Sequence, residues 1–363
     1  MKKEVIFLCG ARDFHAMDWY RSAKEVLTDK KISIVTDLID GEGFEKLIHK
    51  EDEVYRLFIL DKFLFKKQSS LGNLWRNIMK IIILPIQVFR LKKFAKNHEN
   101  SIFYAHAMYY LFLAWAAKID YVGTPQGSDV LVRPFKSKLY KYFAIKALKS
   151  AKGITVDSVN MNEKIKEISG VESVIVQNGI DVQKILSLVK KGEKRERIQS
   201  IRGFTPLYKM DEMLKSRNLM SEKIGIYFTY PFHDETYKKN LIQDFIKEDI
   251  DEGLVSRSKL YALFNSSKLI ISIPVSDSSP KSVYESIFFG CCVAVRDNPY
   301  INILPRCMKD RLIIVNFEDP LWLMKAMKHA EVVVKDEYIP SEEAVSLFDK
   351  KNSIRIISNF FFN

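Results

Sequence analysis

A chain of 363 residues is longer than one hydrophobic core usually sustains, so two domains are expected. With 47% apolar and 28% charged residues and no low-complexity tract, the composition excludes an intrinsically disordered chain. The formal charge of +12, from 57 Lys and Arg against 45 Asp and Glu, favours an anionic partner: nucleic acid, a nucleotide phosphate or an acidic membrane surface.

The opening MKKEVIFLCGARDF reads as a first strand, because its apolar run is too short for a signal peptide and carries no small-residue cleavage site. Short apolar runs then alternate with helical patterns, the signature of βαβ units and parallel sheets. Strands are expected near 5–8, 32–36, 102–104, 121–123, 154–156 and 174–176. Lys62, Lys66, Lys67, Arg76, Lys80, Arg90, Lys92, Lys93 and Lys96 crowd into one stretch. The amphipathic, basic helix expected over 71–96, interrupted at Pro85, suits an anionic bilayer interface; a solvated basic face is the plain alternative. Its apolar segment at 81–86 is far shorter than a bilayer span.

A second set of strands is expected near 198–201, 224–228, 269–273, 292–295 and 312–315, so one architecture is repeated twice. The charged run 190–197 lies between the sets and is polar enough for a linker. The last segment, 341–358, has a helical pattern. Cys9, Cys291, Cys292 and Cys307 include no CxxC, which argues against a disulfide framework or zinc site and fits a cytoplasmic location.

The stretch most informative about chemistry is 276–290, which follows a buried strand and opens a helix. Ser279 is suited to the N-cap and Pro280 to the first helical position. A helix start offers unpaired N–H groups and the positive end of the helix dipole, a phosphate site to which Lys281 adds charge. Ser282 and Glu285, three residues apart, share a helix face, where a carboxylate could hold a ribose diol. Upstream, Arg202 ends a strand, and Lys209 follows at the next helix start.

Ser276, Asp277, Pro280, Ser282, Glu285 and Gly290 together resemble the E-x7-E region of glycosyltransferase family 4, with the strand Cys292-Val293-Ala294-Val295 following. Two positions depart from the family pattern. The first acid is Asp277 rather than Glu, and Ser278 replaces a glycine, which calls for a left-handed-compatible turn or a shifted one. Arg202 and Lys209 resemble the cationic pair that holds the donor diphosphate, with Lys209 later than the usual lysine. In the first half, Gly10 after the first strand, His15 in an H-x-x-x-W pattern with Trp19, His106 after the 102–104 strand, and the turn Gln126-Gly127-Ser128-Asp129 resemble family elements in the family's order. So does Asn178-Gly179-Ile180-Asp181.

The resemblance implies an α/β GT-B fold: two facing Rossmann-like domains with an interdomain cleft, an acceptor domain over 1–178, a donor domain over 179–340, and a final helix over 341–363 packing back across the cleft. It implies a retaining transfer from a nucleoside-diphosphate sugar, most simply a UDP- or GDP-sugar, to a glycan or polyprenyl-diphosphate-linked acceptor of a bacterial surface glycan. Catalytic roles fall on Arg202, Lys209, Asp277, Glu285 and His106. Donor contacts fall on Gly10, Arg202, Lys209, Ser278, Ser279, Pro280, Lys281, Ser282 and Glu285, and acceptor-side contacts on His15, Gln126, Ser128 and Asp129. No resident cofactor, metal or nucleic-acid partner is expected, and a cytoplasmic chain peripheral to the inner membrane face is. A nucleotide-sugar epimerase or phosphorylase on the same fold, or a catalytically silent nucleotide- or carbohydrate-binding subunit, stays open.

Overall fold

In the computed structural model, which describes residues 4–10, 13–37, 48–63 and 70–362, the apolar runs become parallel strands and the helical patterns become crossovers. The chain divides into two compact units, 1–178 with 351–363, and 179–350. Both carry a Rossmann-type parallel sheet.

The first unit contains β1 (Glu4–Leu8), β2 (Lys31–Asp37), β3 (Val54–Phe58), β4 (Ser101–His106), β5 (Tyr121–Thr124), β6 (Gly153–Val156) and β7 (Val174–Ile175). Their order is β3-β2-β1-β4-β5-β6-β7, every pairing parallel. β1 is buried throughout, and the period of two sends Ile6 and Leu8 to one face, Val5 and Phe7 to the other. The first face is covered by helices Ser70–Lys96, Met108–Ala117, Lys138–Ser150 and Val159–Ser169. The second is covered by helix Phe14–Val26 and by Ile354, Ile357 and Phe361 of the last helix, Lys350–Phe362. Gly153 lets that helix approach closely: a Cβ there would lie 2.3 Å from the Phe360 ring.

The second unit contains β8 (Arg197–Ser200), β9 (Tyr227–Thr229), β10 (Ile250–Gly253), β11 (Ser267–Ser272), β12 (Cys292–Val295) and β13 (Leu312–Ile314), in the order β10-β9-β8-β11-β12-β13. The strand order reverses between β8 and β11, so the loops leaving these neighbours diverge and open a crevice at their carboxyl ends.

Several expectations need correction. β3 and β10 were not expected, and both are sheet edges: β3 is largely half-exposed, and the exposed Asp251 and half-buried Glu252 of β10 pair with Lys238 and Lys259. β3 and β10 are partly exposed and carry charged residues, so they lack the apolar run that marks β7 and β13, the other two edges. The charged run 190–197 lies inside the second unit, where Arg195 donates to the carbonyls of Phe264, Ser267 and Phe289. Helix Ser70–Lys96 runs through Pro85 as one element. The carbonyl that Pro85 cannot serve belongs to Ile81, which is exposed, so water can take the missing bond. The terminal helical segment is two helices, Glu342–Phe348 and Lys350–Phe362, parted at the extended Asp349.

Candidate functional site

In the second unit, β8 and β11 deliver their following residues to the crevice edge side by side. Arg202, two residues beyond β8, donates Nε to Ser272 Oγ at 2.7 Å and Nη2 to Asp277 Oδ2 at 2.6 Å. Its guanidinium also lies over the Tyr208 ring, 5.6 Å from the centroid. Burial raises the Tyr208 pKa, with Arg202 opposing and Asp277 adding to the rise, so the phenol stays protonated and neutral at ordinary pH. The next residue, Gly203, lets the chain pass close to a neighbouring loop: a Cβ there would lie 2.3 Å from the Phe232 carbonyl oxygen. The β11 loop is fixed to its neighbours, as the Asp277 N–H donates to Asn298 Oδ1 at 3.0 Å and the Val275 N–H to the Leu207 carbonyl at 2.8 Å.

Helix Lys281–Phe288 starts beyond this loop, with Pro280 rather than Ser279 in the cap position, where proline offers no side-chain cap bond. The expected start is therefore one residue early, because Pro280 keeps a non-helical ψ of 84°. Ser278 does not take a left-handed conformation, whereas Gly290, just past the far end of the helix, has a positive φ of 84°. Ser278, Ser279, Lys281 and Ser282 are half-buried along the helix start.

Glu285 has only 1% of its surface exposed. Arg257 Nη1 lies 2.8 Å from both of its carboxylate oxygens, and Tyr261 OH donates at 2.9 Å. Burial, reinforced by this carboxylate, pushes the Tyr261 phenol well above its ordinary pKa. Arg257 itself, at the start of helix Arg257–Ser266, has a half-exposed side chain. Arg257, Tyr261, Ser272 and Asn298 carry no motif in the sequence. Lys209 lies in the left-handed region (φ 53°) at the start of helix Met210–Asn218, with no ion-pair partner among the described residues.

The remaining expected site residues lie in the first unit, at the carboxyl ends of β1, β4 and β5. Gly10 follows β1, and its carbonyl accepts from the Asp13 N–H at 2.9 Å. Asp13 caps helix Phe14–Val26 through Oδ1 and accepts from Gln126 Nε2 at 2.5 Å through Oδ2. Asp13 escaped the candidate set, although an Asp immediately before a helical pattern is a recognisable cap. His15 is exposed, with Nδ1 3.3 Å from Asn178 Nδ2, while Trp19 is buried in the core. Asp129 is buried, and its Oδ2 accepts from the N–H groups of Met108 and Gln126, which ties the ends of the β4 and β5 loops together. Ser128 is exposed. Ala107 holds a left-handed φ of 73°, a strained conformation for a residue with a Cβ.

His106 ends β4 and is buried, with Nε2 3.9 Å from Asp13 Oδ2 and no hydrogen-bond partner for Nδ1 among the described residues. Burial lowers its pKa below the ordinary value of 6.5, against the opposing pull of Asp13. A buried neutral histidine must bind its proton on unfolding, so its contribution to stability is full above about pH 6.5 and is lost as pH falls through that value. His106→Asn removes this titration. The expected result is a melting temperature that falls less than that of the parent between about pH 7.5 and pH 5.5; equal falls would show that His106 keeps an ordinary pKa.

Among the described residues, no group of three or more His, Cys, Asp or Glu could hold a metal ion. No protein-family model matches the chain, and no curated protein matches it. Solved structures do. HepE of Anabaena in complex with UDP is 14% identical, with a TM-score of 0.72 and 99% of each chain covered. Sucrose-phosphate synthase of Thermosynechococcus elongatus is 9% identical, with a TM-score of 0.69 and 98% of each chain covered. The lipopolysaccharide outer core galactosyltransferase WaaB is 11% identical, with a TM-score of 0.65 and 98% of each chain covered. Likeness over nearly the whole of each chain, with two Rossmann-type parallel sheets, gives this chain the GT-B fold.

Proposed function

We propose that the chain is a nucleotide-sugar-dependent glycosyltransferase that retains anomeric configuration and acts on a glycan or lipid-linked hydroxyl acceptor. The observation that carries this reading is Arg202 at the reversal point of the second sheet, held by Ser272 and by Asp277 of the loop that leads into helix Lys281–Phe288. A fixed cation and a helix start together suit a diphosphate. That HepE was solved with UDP and with UDP-glucose accords with a UDP-sugar donor.

In the proposed reaction, the bond from the anomeric carbon to the diphosphate oxygen breaks and a bond to the acceptor oxygen forms on the same face. Negative charge grows on the departing diphosphate, where Arg202 and Lys209 stabilise it. The acceptor proton passes to an oxygen of that leaving group, so the reaction balances without an added base or cofactor. We assign acceptor contacts to the first-unit edge formed by His15, His106 and Gln126.

Two measurements test the reading. A UDP- or GDP-compound should raise the melting temperature, since a ligand at about one hundred times its Kd adds about 2.7 kcal/mol to native stability. With a radiolabelled donor, label should appear in an acceptor-sized product. Label confined to a free or epimerised nucleotide sugar would replace transfer by epimerisation, and no binding by any nucleoside diphosphate would end the proposal.

A further inference from the structure

Strand β4 ends in a conformation that its sequence does not favour. Ala107, directly after His106, has φ 73° and ψ 146°, at the border of a region that is essentially glycine's. Hydrogen bonds on both sides hold it there. The Ala107 N–H donates to the Thr124 carbonyl at 2.9 Å, the Tyr110 N–H donates to the Ala107 carbonyl at 3.0 Å, and the Met108 N–H donates to Asp129 Oδ2 at 2.9 Å. Strain of this kind persists only where the surroundings over-determine it, and it clusters at functional sites.

Asp129 supplies what residue 107 cannot. Ala107 occupies the cap position of helix Met108–Ala117 and has no side-chain oxygen, so the first N–H of that helix is taken by a carboxylate 21 positions away. The same oxygen accepts from the Gln126 N–H at 3.2 Å, and Gln126 Nε2 reaches Asp13 Oδ2 at 2.5 Å. Asp13 Oδ2 in turn lies 3.9 Å from His106 Nε2. Asp129 therefore borders His106 along two lines: through the peptide that follows it, and through Gln126 to the carboxylate beside its ring. The other oxygen, Oδ1, is engaged by Arg133 at 3.1 Å and by the Tyr140 hydroxyl at 3.4 Å, and only 3% of the residue is exposed. Asp129 is thus enclosed by partners from its own chain. The His106 ring, with no hydrogen-bond partner for Nδ1 among the described residues, depends on such neighbours for its placement.

We propose that Asp129 is a positioning residue rather than an acceptor contact: it fixes the strained Ala107 turn and the Gln126–Asp13 link, and these two walls hold the His106 imidazole at the acceptor edge. It acts through His106 and touches no substrate. The proposal rests on the reading of His106 as an acceptor contact, but it is measured on the ring of the substrate-free chain. Failure of that reading shows in transfer by His106→Asn, and failure of this proposal shows in the ring.

The test is the imidazole signal of His106 in NMR spectra of the full chain carrying isotope-labelled histidine. The chain has six His, so the signal lost in His106→Asn identifies the ring. The parent should give one narrow signal. Ala107→Gly relaxes the turn without removing a contact, so its melting temperature should fall by no more than about 2 °C. Its His106 signal should nevertheless broaden about twofold or split, as the ring exchanges between positions. Asp129→Ala should disturb the ring at least as much. Asp129→Asn, whose amide oxygen still accepts both N–H groups, should restore the narrow signal, which a role that depends on the carboxylate charge would not allow. A narrow, parent-like signal in both Ala107→Gly and Asp129→Ala would overturn the proposal. So would an Asp129→Asn chain with the parent's circular dichroism spectrum and a ring as disturbed as in Asp129→Ala. Should Asp129→Ala fail to fold, Ala107→Gly decides alone.

Discussion

Arg202→Ala is expected to lower kcat/KM for transfer by about 10²–10³, equivalent to about 2.7–4 kcal/mol of lost transition-state stabilisation. The Arg202 side chain is only 14% exposed and its guanidinium is fixed by Ser272 and Asp277, so its charge is preorganised where the diphosphate is proposed to depart. A group whose interaction strengthens as charge develops acts on kcat more than on KM. Arg202→Lys keeps the charge but loses the planar fork that reaches Ser272 and Asp277 together, so it should recover less than about a tenth of the activity. Steady-state kinetics with saturating acceptor decide the matter. A loss smaller than about threefold in Arg202→Ala would remove this residue from the donor phosphates.

Arg257→Met should produce the larger loss of stability. Glu285 is 1% exposed, and its carboxylate is met by Arg257 at 2.8 Å and Tyr261 at 2.9 Å. Removing the cation leaves a buried carboxylate short of its counter-charge, a change that costs about 3–5 kcal/mol in enclosed pairs. The Arg257 side chain is 49% exposed and partly hydrated, so the lower end, about 3 kcal/mol, is expected here. In a unit of this size that corresponds to a melting temperature lower by about 6–12 °C. Replacing both partners, Arg257→Met with Glu285→Leu, should restore much of the loss, because no unpaired charge then remains. A single variant within about 1 °C of the parent would show that the pair contributes little.

The geometry also changes what Glu285 can do. A solvent-facing carboxylate on the expected helix face could take a ribose diol directly. Here the carboxylate is enclosed and already engaged, and Arg257 presents the half-exposed part of the pair. Any proposed role of Glu285 in donor binding therefore includes Arg257.

Much of this arrangement can be read from local sequence. The inner strands β1, β4, β5, β11 and β12 are short, mainly apolar runs, since a strand covered on both faces has little polar side to show, whereas β8, with Gln199 and Ser200 buried, is not. The turn into helix Lys281–Phe288 and the arginine beyond β8 are marked by residues a few positions apart, the range over which capping and helix periodicity act. The edge strands β3 and β10 are not marked in this way, because partial exposure lets them carry Arg56, Asp251 and Glu252 within the run. The tertiary structure alone decided the partnerships. Arg202 meets Asp277 across 75 positions, Arg257 meets Glu285 across 28, and Gln126 meets Asp13 across 113. It also decided that Lys351–Phe362 joins the first unit. Local propensity extends over a turn or two of chain. These contacts are fixed by strand order and by which helix faces share a core, and strand order is settled only when the whole sheet assembles.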